Sequence, residues 1–154
     1  MPNKAPAPRS EKNDKASENP AHRRAQITRL IAALAKLLRT MHERSLSDRD
    51  LKAANILIRT DPSDGTVSLS VIDLVGVRLI HPLPRHRRVQ NLARLQISLS
   101  DVAGRTRTDA LRFLRAYLPW GLSARNDWKG LWREIASSIK GKRARNRRRG
   151  RILS

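Results

Sequence analysis

The sequence predicts a mainly helical α+β domain that contains one β-hairpin. With 154 residues, the chain has room for one domain. Apolar residues recur at three- and four-residue steps over several long segments, which is the spacing of one face of an α-helix. After the first of these segments, two short apolar runs flank a turn rich in Pro, Asp and Gly, which is typical of a β-hairpin.

The first predicted helix covers residues 22–45. Its apolar stripe lies opposite a basic face, so we expect a core helix with a solvated basic back. His42 lies beside the stripe and has no metal-spaced partner nearby, so we expect it to be a packed structural residue. The stripe consists of Ile27, Leu30, Ile31, Leu34, Leu37, Leu38 and Met41.

The predicted hairpin pairs residues 55–60 with residues 67–73 across a turn at residues 61–65. This arrangement places Asn55 at the start of the first strand and Asp73 at the end of the second. An antiparallel pair brings those two ends together. Two residues 18 positions apart can therefore converge on one metal ion.

A second helix is predicted over residues 85–100, and it is strongly basic near its start. Two interpretations are open for Arg85, Arg87, Arg88 and Arg94. We prefer a solvated face, and the alternative is a contact with phosphate or glycolipid.

Two more helices follow. Thr106 or Thr108 can cap the first of them, which ends at Pro119-Trp120-Gly121. The last helix covers about residues 123–140 and carries Trp128 and Trp132 at helical spacing, so we expect both tryptophans in the core.

Both ends of the chain differ in composition from residues 22–140, which we expect to form the folded unit. Residues 1–21 have almost no large apolar side chain and are predicted to be a disordered leader. Residues 141–154 are dense in arginine, and like charges repel, so we expect a frayed helix or a disordered basic tail.

The chain carries a formal charge of +20, from 33 Lys and Arg against 13 Asp and Glu. This charge favours anionic partners: nucleic acid, an acidic lipid surface, a nucleotide or a phosphorylated glycolipid. The absence of cysteine excludes disulfides and thiolate metal sites. The sequence has no signal-peptide core and no run of about 18 apolar residues, so we expect a cytoplasmic location, peripheral to a membrane at most.

The central stretch combines the residue types that phosphoryl transfer requires. Asp50, Lys52 and Asn55 stand at short, fixed spacing between apolar flanks, and Asp73 follows the hairpin. An acidic group can accept the proton of an attacking hydroxyl, and a lysine can stabilise the transferring phosphate. Asn and Asp oxygens are ligands that suit Mg²⁺.

The string Asp48-Arg49-Asp50-Leu51-Lys52-Ala53-Ala54-Asn55 resembles the catalytic loop of the protein-kinase superfamily, H-R-D-L-K-x-x-N. Together with Ile72-Asp73-Leu74-Val75-Gly76-Val77-Arg78, it resembles the bacterial lipopolysaccharide kinase (Kdo/WaaP) family. Residues 87–95 and 107–118 are similar to later strings of that family, and the resemblance covers roughly residues 25–140.

The resemblance implies a kinase-like C-terminal lobe that transfers phosphate from ATP to a sugar hydroxyl of the lipopolysaccharide core, at the inner face of the cytoplasmic membrane. Asp50 would be the catalytic base, and Lys52 would stabilise the phosphoryl group. Asn55 and Asp73 would bind Mg²⁺ and, through it, the nucleotide.

Three departures from the family pattern affect this expectation. Asp48 stands where the motif has His, and its charge beside Asp50 is expected to raise one of the two pKa values. The segment Asp73-Leu74-Val75-Gly76 is one residue longer than Asp-Phe-Gly. No Gly-rich loop or strand Lys precedes the first helix, so the N-terminal lobe is predicted to be absent and turnover by the chain alone to be weak or nil.

We therefore expect a truncated or degenerate kinase lobe, whose missing lobe a separate chain could supply and whose acceptor would be an anionic glycolipid. Two alternatives remain open. One is a regulatory pseudokinase that docks on a partner through an exposed apolar face. The other is a basic module that binds nucleic acid or an acidic membrane surface through its tail.

Overall fold

A computed structural model of the chain describes residues 19–118 apart from 101 and 103, then residues 124–148 and residue 150. The described residues form a mainly helical α+β fold, which confirms the predicted fold class. Its helices and strands are α1 (Pro20–Glu43), β1 (Leu46–Asp48), β2 (Ile56–Thr60), β3 (Val67–Val71), β4 (Val77–Leu79), α2 (Arg85–Ser98), α3 (Arg107–Tyr117) and α4 (Ala124–Arg148).

Helix α1 begins and ends two residues earlier than its predicted bounds of 22–45. It begins at Pro20 because Asn19 caps it: the Asn19 side chain accepts the backbone N–H of Ala21 at 3.0 Å. The leader was predicted over residues 1–21, and its last two residues, Pro20 and Ala21, belong to α1 instead. Residues 1–18 and the predicted break at residues 119–121 lie outside the described part of the chain.

Among the described residues, the β-strands form two small antiparallel sheets. The pair β2–β3 is the predicted hairpin, with Ile56 opposite Val71 and Thr60 opposite Val67. The pair β1–β4, with Leu46 opposite Leu79, was not predicted. Strands of three residues are too short to show alternation, and no local turn joins these two.

The core lies between the four helices. Helix α1 contributes Ala35 and Leu38, both fully buried, and the loop after β1 adds the fully buried Leu51. The other buried core residues are Met41, Val89, Leu92, Ala93, Leu95, Leu114, Tyr117, Leu131 and Ile135.

The prediction that both tryptophans of α4 lie in the core is wrong for Trp132, which is 38% exposed. Trp128 is half-buried, and the Nζ of Lys129 lies 5.6 Å from its ring centre. The buried stripe of α4 runs through Leu131 and Ile135, so Trp132 falls at its edge.

Thr106, rather than Thr108, caps α3. Its side chain accepts the backbone N–H of Asp109, whose own carboxylate accepts the backbone N–H of Thr106 at 2.9 Å, and the two bonds form a capping box. The buried Asp109 carboxylate also pairs with Arg24 of α1 at 2.6 Å and with Arg112 at 3.0 Å. This ion cluster joins the first turns of α1 and α3.

Helix α4 continues through Arg148, beyond the predicted end at residue 140. Its half-buried side continues as well, through Ile139, Lys142 and Asn146. Lys, Arg and Ala are good helix formers, and a partly buried side adds packing that offsets repulsion between the charges. Across the described residues, no helix is long and apolar enough to cross a membrane.

Candidate active site

Three of the four predicted site residues form one cluster in the loop between β1 and β2. The Nζ of Lys52 lies 2.9 Å from the Oδ2 of Asp50. The Nδ2 of Asn55 donates to the backbone oxygen of Asp50 at 3.2 Å and lies 3.5 Å from its Oδ2. A single 3-10 turn, Ala53–Asn55, places Asn55 at the start of β2, where its side chain is buried.

The hairpin brings Asp73 to the same end as Asn55. The register pairs Ile56 with Val71, and one step further the backbone oxygen of Asn55 accepts the N–H of Ile72 at 2.9 Å. Asp73 follows directly in the left-handed conformation, with φ 58° and ψ 70°. It is exposed, and its charge acts on the pKa of Lys52. The structure thus places all four predicted residues at one end of the hairpin.

The hydrogen bond from Lys52 lowers the pKa of Asp50, and the bond from Asn55 adds to this effect. The same bond raises the pKa of Lys52. We expected the charge of Asp48 to raise one of the two pKa values, and that of Asp50 is lowered instead. Lys52 contacts the Asp50 carboxylate directly, and its hydrogen bond is the main cause of the lowered pKa. Asp50 is ionised at neutral pH and can accept a proton.

Asp48 is fully buried and connects the two halves of the site. Its Oδ1 accepts the backbone N–H of Asp50 at 2.8 Å. A Cβ built on Gly76 would lie 2.5 Å from the same oxygen, so the carboxylate packs directly against that glycine. The backbone N–H of Arg49 donates to the Gly76 oxygen at 3.0 Å, and Asp48 pairs with Val77 in the sheet. Asp48 therefore holds the Asp50 loop against the segment that carries Asp73.

A buried polar network connects Asp48 with helices α1, α2 and α3. The amide nitrogen of Asn91 in α2 donates to the Asp48 backbone oxygen at 2.9 Å, and its amide oxygen accepts the Asp48 N–H and the Nε2–H of His42, both at 3.2 Å. The Nδ1 of His42 accepts the hydroxyl of Tyr117 at 2.7 Å. Burial, with a smaller effect from Arg88, lowers the pKa of His42 to about 4, so the ring is neutral.

The predicted structural role of His42 is confirmed by this network. Asn91 and Tyr117 were not identified from the sequence. The available signal was a polar residue inside the apolar stripe of each of these two helices, since buried polar groups require partners.

The residues present fit a magnesium ion. Mg²⁺ retains waters and substrate phosphates and takes one or two protein oxygens, which Asp73 and Asn55 can supply. The nitrogen end of the Asn55 amide contacts Asp50, so its oxygen end is the one that can coordinate a cation. Over the described ranges, no group of three or more His, Cys, Asp or Glu residues could hold a metal by itself.

Large apolar side chains are exposed in the hairpin and in the segment that follows Asp73. Val75 is 84% exposed and Leu79 is 73% exposed. We call these side chains together the open face. It consists of Leu57, Ile58, Ile72, Leu74, Val75 and Leu79.

The helical arrangement, the hairpin and the Asp50 loop together define a kinase-like C-terminal lobe. The profile of the lipopolysaccharide kinase (Kdo/WaaP) family matches residues 12–117, and the chain belongs to that family. Among solved structures, it is similar to WaaP in complex with acyl carrier protein, with 30% sequence identity and a TM-score of 0.62.

That match covers 76% of this chain and 50% of the WaaP chain, so the present chain spans about half the length of this solved relative. Among curated proteins, none matches the chain.

Proposed function

We propose that the chain is the catalytic C-terminal lobe of an ATP- and Mg²⁺-dependent kinase that phosphorylates a sugar hydroxyl of the lipopolysaccharide core. The observation that carries this proposal is the contact between Asp50, Lys52 and Asn55, with Asp73 at the same end of the hairpin. Family membership supports kinase chemistry, and the acceptor is inferred from the family.

In this proposal, Asp50 accepts the proton of the acceptor hydroxyl. Its lowered pKa keeps it ionised, and its exposure lets an acceptor approach. Lys52, beside it, stabilises the charge of the transferring phosphoryl group. Asn55 and Asp73 hold Mg²⁺, which supplies charge neutralisation for the nucleotide phosphates when bound.

A second lobe completes the site by packing on the open face. Large exposed apolar side chains beside a polar site indicate an interaction surface, and Leu74 and Val75 follow Asp73 directly. The match to half of the WaaP chain supports a second unit of similar size, supplied by a separate chain or by another part of the polypeptide. The catalysis requires it, because positioning dominates phosphoryl transfer.

An acyl carrier protein is a proposed partner, because the solved relative is in complex with one. A cavity of about 190 Å³ lies between α1, α2 and α3, and its lining includes Leu30, Leu34, Leu95, Leu99 and Phe113. Such a lining suits an apolar chain.

The alternatives are a pseudokinase and a basic module for nucleic acid or an acidic membrane surface at the cytoplasmic face. A pseudokinase would keep the open face and lose metal binding. A basic module would bind through charge alone, with strong salt dependence, and would not require Asp50.

Two measurements test the proposal. The first uses the 154-residue chain: Mn²⁺, as a paramagnetic substitute for Mg²⁺, should broaden the NMR signals of Asn55 and Asp73, and Asp73→Asn should abolish the broadening. The matched control is Asp61→Asn, at the opposite end of the hairpin. Equal broadening in the wild type and in Asp73→Asn would contradict the proposed metal site.

The second measurement follows phosphate transfer from ATP to lipopolysaccharide core oligosaccharide, with the chain assembled with its second lobe. Asp50→Asn should lower kcat by a factor of about 10² to 10⁴, the usual contribution of a general base. Asp61→Asn should leave kcat unchanged. Transfer that is insensitive to Asp50→Asn would contradict the assignment of the base.

A further inference from the structure

Helices α2 and α4 run side by side in the same direction. At one end, Arg85 of α2 pairs with Glu134 of α4 at 2.9 Å. Nine residues further along α2 is Arg94, and eight residues beyond Glu134 is Lys142. At about 1.5 Å per helical residue, these steps cover nearly equal lengths. Arg94 and Lys142 therefore lie level with each other toward the C-terminal ends of the two helices.

This end of the helix pair adjoins the catalytic loop. The Oγ of Ser98, one turn after Arg94, accepts the backbone N–H of Ala53 at 2.9 Å. Ala53 directly follows Lys52 and begins the turn that places Asn55. This hydrogen bond fixes α2, and with it Arg94, against the loop that carries Asp50.

Arg94 and Lys142 form a pair of cations, and neither makes a salt bridge with a described residue. Both are half-buried, and within the described residues neither lies within 4.0 Å of a carboxylate oxygen. Burial is the main cause that lowers the pKa of each, Arg87 lowers that of Arg94 further and Arg94 that of Lys142, while the charge of Asp50 opposes both shifts. A bound anion would relieve both effects.

The pair interacts electrostatically with Asp50. The charges that act on Lys142 are those of Arg94, Asp50 and Arg145. Asp73 acts instead on Lys52. Asp50, whose charge acts on both Arg94 and Lys142, is therefore the carboxylate of the site that these two cations approach.

We propose that Arg94 and Lys142, with Arg145 at their edge, form a subsite that binds an anionic group of the acceptor, a phosphate or a carboxylate, and so positions its hydroxyl at Asp50. This inference rests on the proposed function and names what the site recognises in its acceptor. It assigns the basic end of α4 to substrate binding.

The test measures equilibrium binding of soluble lipopolysaccharide core oligosaccharide to the full chain by titration calorimetry. The variant Arg94→Gln/Lys142→Gln should raise Kd at least about tenfold, as expected for two lost charge-assisted bonds. The control, Arg147→Gln/Arg148→Gln, removes the same charge from the exposed end of α4 and should change Kd less than threefold. Equal weakening by both variants would show attraction by net charge only and would overturn the proposal.

Two chemical treatments distinguish the source of the anion. Phosphatase treatment and amidation of the carboxylates each remove one class of group from the oligosaccharide. The treatment that eliminates the difference between wild type and the double variant identifies the group. If neither treatment, alone or combined, changes that difference, the proposal is wrong. A 20-nucleotide single strand that shows the same dependence on Arg94 and Lys142 would also overturn it.

Folding and function are separated by two further variants. Lys142→Arg keeps the charge and should bind within threefold of wild type, whereas a tenfold loss would assign Lys142 to packing and contradict the proposal. Asp50→Asn should lower kcat in the assembly with the second lobe by about 10² to 10⁴ and leave oligosaccharide binding to the full chain intact. If transfer fails in the wild type assembled with its second lobe but the Arg94–Lys142 effect persists, the proposed kinase function fails and the anion subsite stands.

Discussion

The carboxylate of Asp48 packs directly against Gly76, so close that a Cβ on Gly76 would lie 2.5 Å from the Asp48 Oδ1. The same oxygen accepts the N–H of Asp50. One buried carboxylate thus holds the loop of the proposed base against the segment that carries Asp73. This contact accounts for a glycine three residues after Asp73.

Replacing that glycine should destabilise the lobe. Gly76→Ala places a methyl group against Asp48 and 3.1 Å from the backbone nitrogen of Asp50, so the two segments must separate. We expect a loss of about 1–3 kcal/mol in the free energy of unfolding, measured with denaturant. Gly141→Ala in α4 is the control, since its nearest neighbour lies 3.6 Å away, and it should stabilise the helix by up to about 1 kcal/mol. Equal effects at both sites would contradict this reasoning.

Lys52 should control the ionisation of Asp50. Its hydrogen bond is the main cause of the lowered pKa of Asp50. Removing it in Lys52→Ala should raise that pKa toward the ordinary value for aspartate, as followed by NMR titration of the Asp50 side chain. Lys36→Ala, on the exposed side of α1, should leave the titration unchanged. An unchanged pKa in Lys52→Ala would assign the shift to another group.

The buried His42 should make stability depend on pH in a defined window. Its pKa is lowered from 6.5 to about 4 in the folded state. As the pH falls, His42 therefore binds a proton in the unfolded chain at a higher pH than in the folded chain. The stability that depends on neutral His42 is complete above pH 6.5 and is lost as the pH falls toward 4, by about 3 kcal/mol. Unfolding measured across this range should show the slope, and His42→Gln should remove it; a slope that persists in the variant would exclude His42 as its source.

Asp109 should also make stability depend on pH, in a window at lower pH than that of His42. Burial acts to raise its pKa, but hydrogen bonds from Thr106 and Arg24 outweigh this and lower it to about 2. Its stabilising effect is complete above pH 3.8 and is lost as the pH falls toward 2, by about 1–2 kcal/mol. Arg24→Gln should reduce this acid-dependent loss and weaken the contact between α1 and α3. If the acid transition is the same in Arg24→Gln and the wild type, the ion pair has no part in it.

Much of the site was predictable because its signals are local. Asp50, Lys52 and Asn55 lie within six residues of one another, and the turn at residues 61–65 determines which ends of the hairpin meet. The helices were predictable for the same reason, since a three- to four-residue period records the buried face of each helix. The exact ends of the helices depend on caps, as Asn19 and Thr106 show.

The remaining features depend on contacts between residues far apart in the sequence. No local spacing indicates that Leu46 pairs with Leu79, that Asn91 binds the backbone of Asp48, or that Trp132 lies at the edge of the buried stripe. The pKa of Asp50 belongs here as well. It depends mainly on the contact with Lys52, which only the folded loop establishes.

By itself, the sequence determined the fold class, the family resemblance and the set of polar residues at the end of the hairpin, because periodicity, turn chemistry and a short motif act within a few residues. The tertiary structure alone decided how Asp48 connects the two halves of the site, and it placed Arg94 and Lys142 beside Asp50. Those relationships arise from the packing of α2, α4 and the β1–β4 sheet, which brings together charges that are separated by dozens of residues along the chain.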